Sequence, residues 1–401
     1  MKGHVRPGFE KVREAFQANF DERNEVGASC CVTIEGEIVA DLWGGEADPT
    51  TGAAWEEDTV SVVFSSTKGA TAICAHHLID QGAFALSTPV SEIWPEFGQG
   101  AKAGATVRMM LDHTVGVPVL REKLKKDGIY DWDYMCERLA AEEPFWRPGE
   151  RGGYHGMTFG WTVGELVRRV SGRSLGTYFQ DEIAGPLGID FWIGLPEEIE
   201  ARVAPMIFRR HQQGDPMPPF LEMGMNQPGS IPHLFLFNSG GFLGHGCNTR
   251  EGHAAELGAG GGITNGRGLA LMYRPFANGG EWDGVKLAGR GTIDTMSEVS
   301  AASNLDATLQ IPVRFGPGFM KSIDNRGLGI EGVIMGARAF GHVGAGGSLG
   351  FADPENRISF GYTMNRMGDG LLLNDRGQAL VDAVYDCVGG LEISGGAYRR
   401  A

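Results

Sequence analysis

The chain has 401 residues, of which 42% are apolar and 21% charged, with 63 glycines and a formal net charge of −15. These are the proportions of a soluble globular protein with a large core and room for two or three domains, and the acidic surplus argues against nucleic acid or an anionic membrane as a main partner. The six cysteines are scattered without a Cys-x-x-Cys pair. They read as buried free thiols, and with no apolar leader and no run of bilayer length, the expected location is cytoplasmic.

Taken in chain order, Phe9, Val12, Phe16 and Phe20 recur at helical spacing and predict an amphipathic helix. Residues 29–34 and 37–43 read as two strands of a hairpin turning at Glu35-Gly36. A helix is predicted to open at Ser65, and another to run over 162–171. The stretch 195–260 is rich in Pro, Met, Gly and Phe and reads as a long, functional loop region. Strands follow at 338–343, 348–352 and 357–365, with Asp353-Pro354-Glu355-Asn356 as the turn between the last two. Residues 375–388 close the chain as a helix. Strands at both ends predict one antiparallel sheet built from both termini and flanked by helices. The expected division is an α/β part over 1–90 and 255–401, with a mainly helical insertion over 91–254.

Within this framework, Ser65-Ser66-Thr67-Lys68 places a hydroxyl and an amine three residues apart, neighbours on a helix surface. A serine hydroxyl needs such a base within hydrogen-bond reach to become a nucleophile, and a helix N-terminus supplies free N–H groups for a negatively charged oxygen. Two further pieces carry possible partners. The glycine-rich loop Pro148-Gly149-Glu150-Arg151-Gly152-Gly153-Tyr154-His155-Gly156 ends on a phenol. The segment Phe340-Gly341-His342-Val343-Gly344-Ala345-Gly346-Gly347-Ser348 sets a polar side chain on an edge-like strand before glycines that let a substrate approach the backbone.

Two other patterns compete. Gly346-Gly347-Ser348-Leu349-Gly350 matches the G-x-S-x-G elbow of α/β-hydrolases, but no histidine follows position 342, and a strand rather than a helix follows the serine. Residues 327–332 match G-x-G-x-x-G, yet polar Asp324-Asn325-Arg326 precedes them instead of a strand. No His-Glu-x-x-His or paired-cysteine pattern occurs, so neither a metal nor another cofactor is indicated.

The three pieces, in this order, resemble the class C β-lactamase-like serine hydrolases, and more closely their esterase relatives, the family VIII carboxylesterases. Serine β-lactamases and penicillin-binding proteins carry S-x-x-K. The resemblance spans roughly 9–390 and includes 106–118, similar to the family's L-x-H-T-S-G-L segment, and Arg314-Phe315-Gly316-Pro317-Gly318-Phe319, similar to F-G-L-G-F. It implies the β-lactamase/penicillin-binding-protein fold, Ser65 as acylated nucleophile, Lys68 as its activating amine and Tyr154 as the tyrosine of Y-x-N. It also implies an oxyanion hole from the N–H groups of Ser65 and Ala345, and His342-Val343-Gly344 at the K-T-G position. Gly156 stands where β-lactamases have asparagine, and His342 where they have lysine. Both changes point to small neutral esters rather than β-lactams as substrates, with Phe235 and its apolar neighbours as a wall for the acyl group. An acyltransferase, an amidase or D-amino-acid peptidase, and a non-catalytic binding protein remain alternatives on the same residues, and whether Lys68 or Tyr154 is the base stays open.

Overall fold

The computed structural model describes residues 1–208, 217–368 and 370–401. Its large sheet uses β1 (Lys2–Val5), β2 (Gly27–Ile34), β3 (Glu37–Asp48), β4 (Ala301–Ser303), β5 (Val313–Gly316), β6 (Phe319–Met320), β7 (Phe340–Val343), β8 (Leu349–Asp353) and β9 (Ile358–Met364). They lie in the order β1-β3-β2-β9-β8-β7-β6-β5-β4, with every neighbouring pair antiparallel. The two ends of the chain meet where β2 pairs with β9, from Ile34 opposite Ile358 to Ala28 opposite Met364. Hydroxyl pairs cross that seam at Ser29–Thr363 (2.9 Å) and Thr33–Ser359 (2.7 Å), each the kind of cross-strand contact that adds about 0.2–1 kcal/mol.

Seven helices matter here: α1 (Glu10–Glu22), α2 (Thr67–Asp80), α3 (Phe159–Ser171), α4 (Pro219–Asn226), α5 (Ile231–Phe237), α6 (Gly266–Ala277) and α7 (Asp375–Val388). Residues Gly27 to Thr33 of β2 are all buried. Successive side chains of a strand point to opposite faces, so this strand is covered on both. Helix α6 packs on β2, β9 and β8, and α1 and α7 pack together on the other side. The approach of α6 explains part of the glycine content: a Cβ on Gly361 would lie 2.1 Å from the Gly266 carbonyl oxygen.

Helix α2 is buried continuously from Thr67 to Leu78. A helix with no polar face belongs in the interior, and α2 packs between β7 and α3. This central position holds its first turn still, and the catalytic candidates sit there. The remainder of 91–254 contributes short helices, and its strand Phe191–Ile193 pairs with Gly262–Thr264. The expected loop region 195–260 contains the hairpin of α4 and α5; its residues 209–216 lie outside the described ones. Among the described residues no helix is long and apolar enough to cross a membrane.

Two local expectations need correction. Helix α2 begins at Thr67, not Ser65; Ser65 lies in a 3-10 turn over Phe64–Ser66. Phe64 has φ +42°, a left-handed value that a bulky residue adopts rarely and that breaks the approach to the helix. Strand β7, expected to be edge-like, is interior. It pairs with β8 over four residues and with β6 at Gly341–Met320.

Candidate active site

The first turn of α2 brings Lys68 Nζ to 3.0 Å from Ser65 Oγ. The amine is fully buried, and its other two contacts are the carbonyl oxygens of Gly156 (2.7 Å) and Ala259 (2.8 Å). Burial holds its pKa well below the ordinary lysine value. Carbonyl oxygens only accept hydrogen bonds, so both N–H bonds of a neutral amine are committed to them. The lone pair is then left for the Ser65 hydroxyl. The arrangement can draw a proton from Ser65.

Tyr154 completes the group. Lys68 Nζ lies 4.7 Å from the centre of its ring. Burial pushes the phenol's pKa up, with the facing Ser65 hydroxyl pulling the other way. The ring stacks on Phe315 of β5 at 5.9 Å and 9°. The tyrosine is therefore held as a neutral phenol beside the serine and the lysine. Ser65, Lys68 and Tyr154, separated by up to 89 positions in the chain, come together as the motif reading expected.

Two backbone amides belong to the turns beside this group. The Phe64 carbonyl accepts from the Thr67 N–H and from Thr67 Oγ1 (2.5 Å). A planar trans peptide points its N–H opposite its carbonyl, so the Ser65 N–H faces away from the helix. Likewise the Gly344 carbonyl accepts from the Gly347 N–H at 3.0 Å, which turns the Ala345 N–H outward. Among the described residues neither amide donates to any acceptor. Gly344 makes the turn possible, since a Cβ there would lie 2.1 Å from the Val63 carbonyl oxygen and 2.2 Å from Ser348 Oγ. From behind, Asn374 Nδ2 holds the Gly346 carbonyl at 2.8 Å.

His342 lies on β7 with Nδ1 2.7 Å from the Val343 carbonyl, so the proton is on Nδ1 and Nε2 carries the lone pair. Burial, then the nearby Lys68, push its pKa far below the usual imidazole range. Nε2 is buried without a partner among the described residues. At the K-T-G position the chain thus presents an uncharged acceptor in place of a cation. Gly156 is crowded too: a Cβ there would lie 1.9 Å from the Phe235 ring of α5. The aromatic ring fills the space a side chain at 156 would take.

The contacts of Ser348 are structural ones. Its hydroxyl donates to the Val63 carbonyl at 2.9 Å and lies 3.2 Å from Ser66 Oγ, fastening β8 to the turn that carries Ser65. No base touches it among the described residues. The glycine pattern at 327–332 overlaps the short 3-10 turn Arg326–Leu328 and opens no long helix.

Three site-supporting groups escaped the sequence reading. His113, inside the 106–118 segment, stands 5.0 Å from Tyr154 and 4.6 Å from Phe315 between ring centres. His155, next to Tyr154, donates its backbone N–H to His113 Nδ1 at 3.1 Å and accepts the Val117 N–H at Nε2, 3.0 Å. Both imidazoles are held neutral by burial, His155 down to about 3. Their neighbouring motifs were the available signal. Asp306, which grips the Tyr154 amide, had none.

A half-buried Ser65 beside buried Lys68 and Tyr154, on a sheet joined from both termini, belongs to a fold that the comparisons identify. The β-lactamase family profile matches residues 12–384, and the chain belongs to that family. It is 34% identical over 383 residues, 93% of this chain and 85% of the relative, to Esterase/beta-lactamase LipL of Mycobacterium tuberculosis strain H37Rv. A crystal structure of a family VIII carboxylesterase is 37% identical with a TM-score of 0.83, over 96% of this chain and 99% of that one. A penicillin-binding protein homologue from Caulobacter crescentus is 33% identical with a TM-score of 0.84, over the same shares. The protein is a hydrolase of the β-lactamase fold, close to the family VIII carboxylesterases.

Proposed function

We propose that the protein is a serine carboxylesterase acting on small, short-chain esters through an acyl-Ser65 intermediate. The observation that carries this reading is the Lys68 amine, 3.0 Å from Ser65 Oγ and with its other two contacts spent on carbonyls. Ser65 Oγ attacks the ester carbonyl carbon while its proton passes to Lys68 Nζ. The oxyanion forms against the N–H groups of Ser65 and Ala345. Its collapse expels the alcohol, which takes a proton relayed from Lys68 by the Tyr154 phenol. Water then attacks the acyl-enzyme, gives a proton to the same pair, and the acid leaves as Ser65 recovers its hydrogen.

The choice of ester over β-lactam rests on two residues. Neutral His342, with its Nε2 lone pair, offers a carboxylate no cation. Gly156 offers no side-chain amide to a substrate's amide group, and the Phe235 ring takes that space as apolar wall. At most weak β-lactam hydrolysis is expected. The test is labelling with a fluorophosphonate followed by mass spectrometry. The adduct is expected on Ser65, with hydrolysis of p-nitrophenyl butyrate lost in Ser65→Ala and largely kept in Ser348→Ala. An adduct on Ser348, or none, refutes the reading.

Phe235 sets a second expectation. Its ring touches Gly156 on one side, and on the other lines an apolar chamber with Leu120, Ile129, Met157 and Trp161. Phe235→Ala joins the two spaces. The ratio of kcat/KM for p-nitrophenyl octanoate to that for the acetate should rise by about 10-fold or more, since each added methylene that finds an apolar pocket contributes about 0.8 kcal/mol. An unchanged ratio rules Phe235 out as the acyl wall.

A further inference from the structure

The loop between β4 and β5 holds a carboxylate that no motif points to. Asp306 is fully buried, 152 positions from Tyr154, and receives the Tyr154 backbone N–H on both of its oxygens at 3.0 Å. Oδ1 also accepts from the N–H groups of Thr308 (2.9 Å) and Leu309 (2.8 Å). Its hydrogen-bond partners among the described residues are all backbone amides, with no cation in contact. The two loops are joined further by the Ala307 N–H on the Gly152 carbonyl at 3.3 Å. The same segment continues into Phe315, whose ring stacks on Tyr154.

We propose that Asp306 is the positioning residue of Tyr154, fixing the amide of the tyrosine so that its phenol stays within proton-transfer reach of Ser65 and Lys68. This deepens the esterase reading above and rests on it. Three arguments support it. First, the glycines flanking Tyr154, at 152, 153 and 156, leave the loop little intrinsic stiffness, so the fix must come from outside. Second, burying a carboxylate is unfavourable and pushes its pKa up, and the backbone N–H groups of Leu309, Tyr154 and Thr308 oppose that here. Third, Asp306 adds to burial, the larger cause, in raising the phenol's pKa. Together they keep Tyr154 protonated as a relay and leave the role of base to Lys68. Asp306 touches no reacting atom; it acts through the tyrosine.

The experiment compares Asp306→Ala and Asp306→Asn in wild-type and Tyr154→Phe backgrounds, with kcat and KM for p-nitrophenyl butyrate and a thermal melt for each. Misplacing a reacting group by about 1 Å can cost about 100-fold. Asp306→Ala should therefore lower kcat by about 100-fold with KM within about 3-fold. Asp306→Asn keeps one acceptor but sets an NH2 against the Tyr154 N–H, and should lose about 10-fold. In the Tyr154→Phe background, with no phenol left to aim, either change should cost less than about 3-fold. Equal losses in both backgrounds mean a purely structural residue and overturn the proposal, as does a wild-type kcat in both folded variants. If Asp306→Ala does not fold, the asparagine variant decides by the same comparison. Ser65→Ala, measured alongside, separates the failures: if it stays active the esterase site itself is refuted, and if it is inactive while the Asp306 losses simply add, only the positioning role is.

Discussion

Lys68→Met should lower kcat for p-nitrophenyl butyrate by about 100- to 10,000-fold, the span that a positioned general base contributes. Methionine has similar length and no lone pair that can take a proton at neutral pH. The wild-type profile should fall as pH drops through the depressed Lys68 pKa, because only the neutral amine can accept the Ser65 proton. The three imidazoles near the site, His113, His155 and His342, are all pushed down by burial. No limb belonging to an ordinary histidine should therefore appear between pH 6 and 7. A methionine variant with wild-type kcat, measured alongside a normal melt, would remove Lys68 from the mechanism.

The same substitution makes a prediction about stability, and its sign follows from proton counts. In the unfolded chain Lys68 is protonated up to its ordinary pKa; in the folded protein it is neutral above the depressed one. Between those values the unfolded state holds one proton more, so stability rises with pH, by about 1.4 kcal/mol per unit. Lys68→Met lacks that dependence. Its urea-unfolding free energy, relative to wild type, should be most favourable at the low end of this window and should lose that advantage as pH rises. Parallel pH dependences would mean that Lys68 is charged in the folded protein. A buried amine without a carboxylate partner is an unfavourable group for folding, kept where the chemistry needs a base.

The sequence carried what is local. The spacing of Ser65 and Lys68, the terminal strands with their turn residues, and helix α7 depend on residues near one another in the chain. Each was legible, down to the bounds of 375–388. Local pattern failed where distant contacts decide. Phe64 looks like any apolar residue before a helix, yet its left-handed backbone shifts the start of α2 to Thr67. His342 seemed placed on an edge because polar side chains and glycines usually mark edges; β6 and β8 cover it on both sides. The filling of the space at Gly156 by Phe235 crosses 79 positions, and nothing near either residue announces it. Asp306 was silent for the same reason. The family resemblance supplied the assembly of the site, because periodicity has no means of bringing Tyr154 to Ser65.

The remaining large effect is expected from a change that removes one N–H donor. Ala345→Pro would delete the second amide of the proposed oxyanion hole, and loss of one such donor typically lowers kcat by about 100- to 1000-fold. This N–H donates to nothing among the described residues, so its removal takes no hydrogen bond from them, unlike proline in most strands and helices. Ala345 is absent from the residues with positive φ, and Gly344 before it tolerates the restriction that proline imposes on its predecessor. The loss should therefore fall on kcat rather than on the melting temperature. Fluorophosphonate labelling of Ser65 should slow in step, because the phosphonyl oxygen occupies the same position as the ester oxyanion. A control is Asn374→Ala, which removes one of the donors on the Gly346 carbonyl behind the loop and leaves the Gly368 N–H at 2.9 Å. It loosens the amide without deleting it, and should give a smaller loss than proline. A folded Ala345→Pro protein that hydrolyses the ester within about 3-fold of wild type would show that the charge on the intermediate is held elsewhere. Against that stand two peptides whose carbonyls are engaged within the fold and whose N–H groups donate to no acceptor among the described residues.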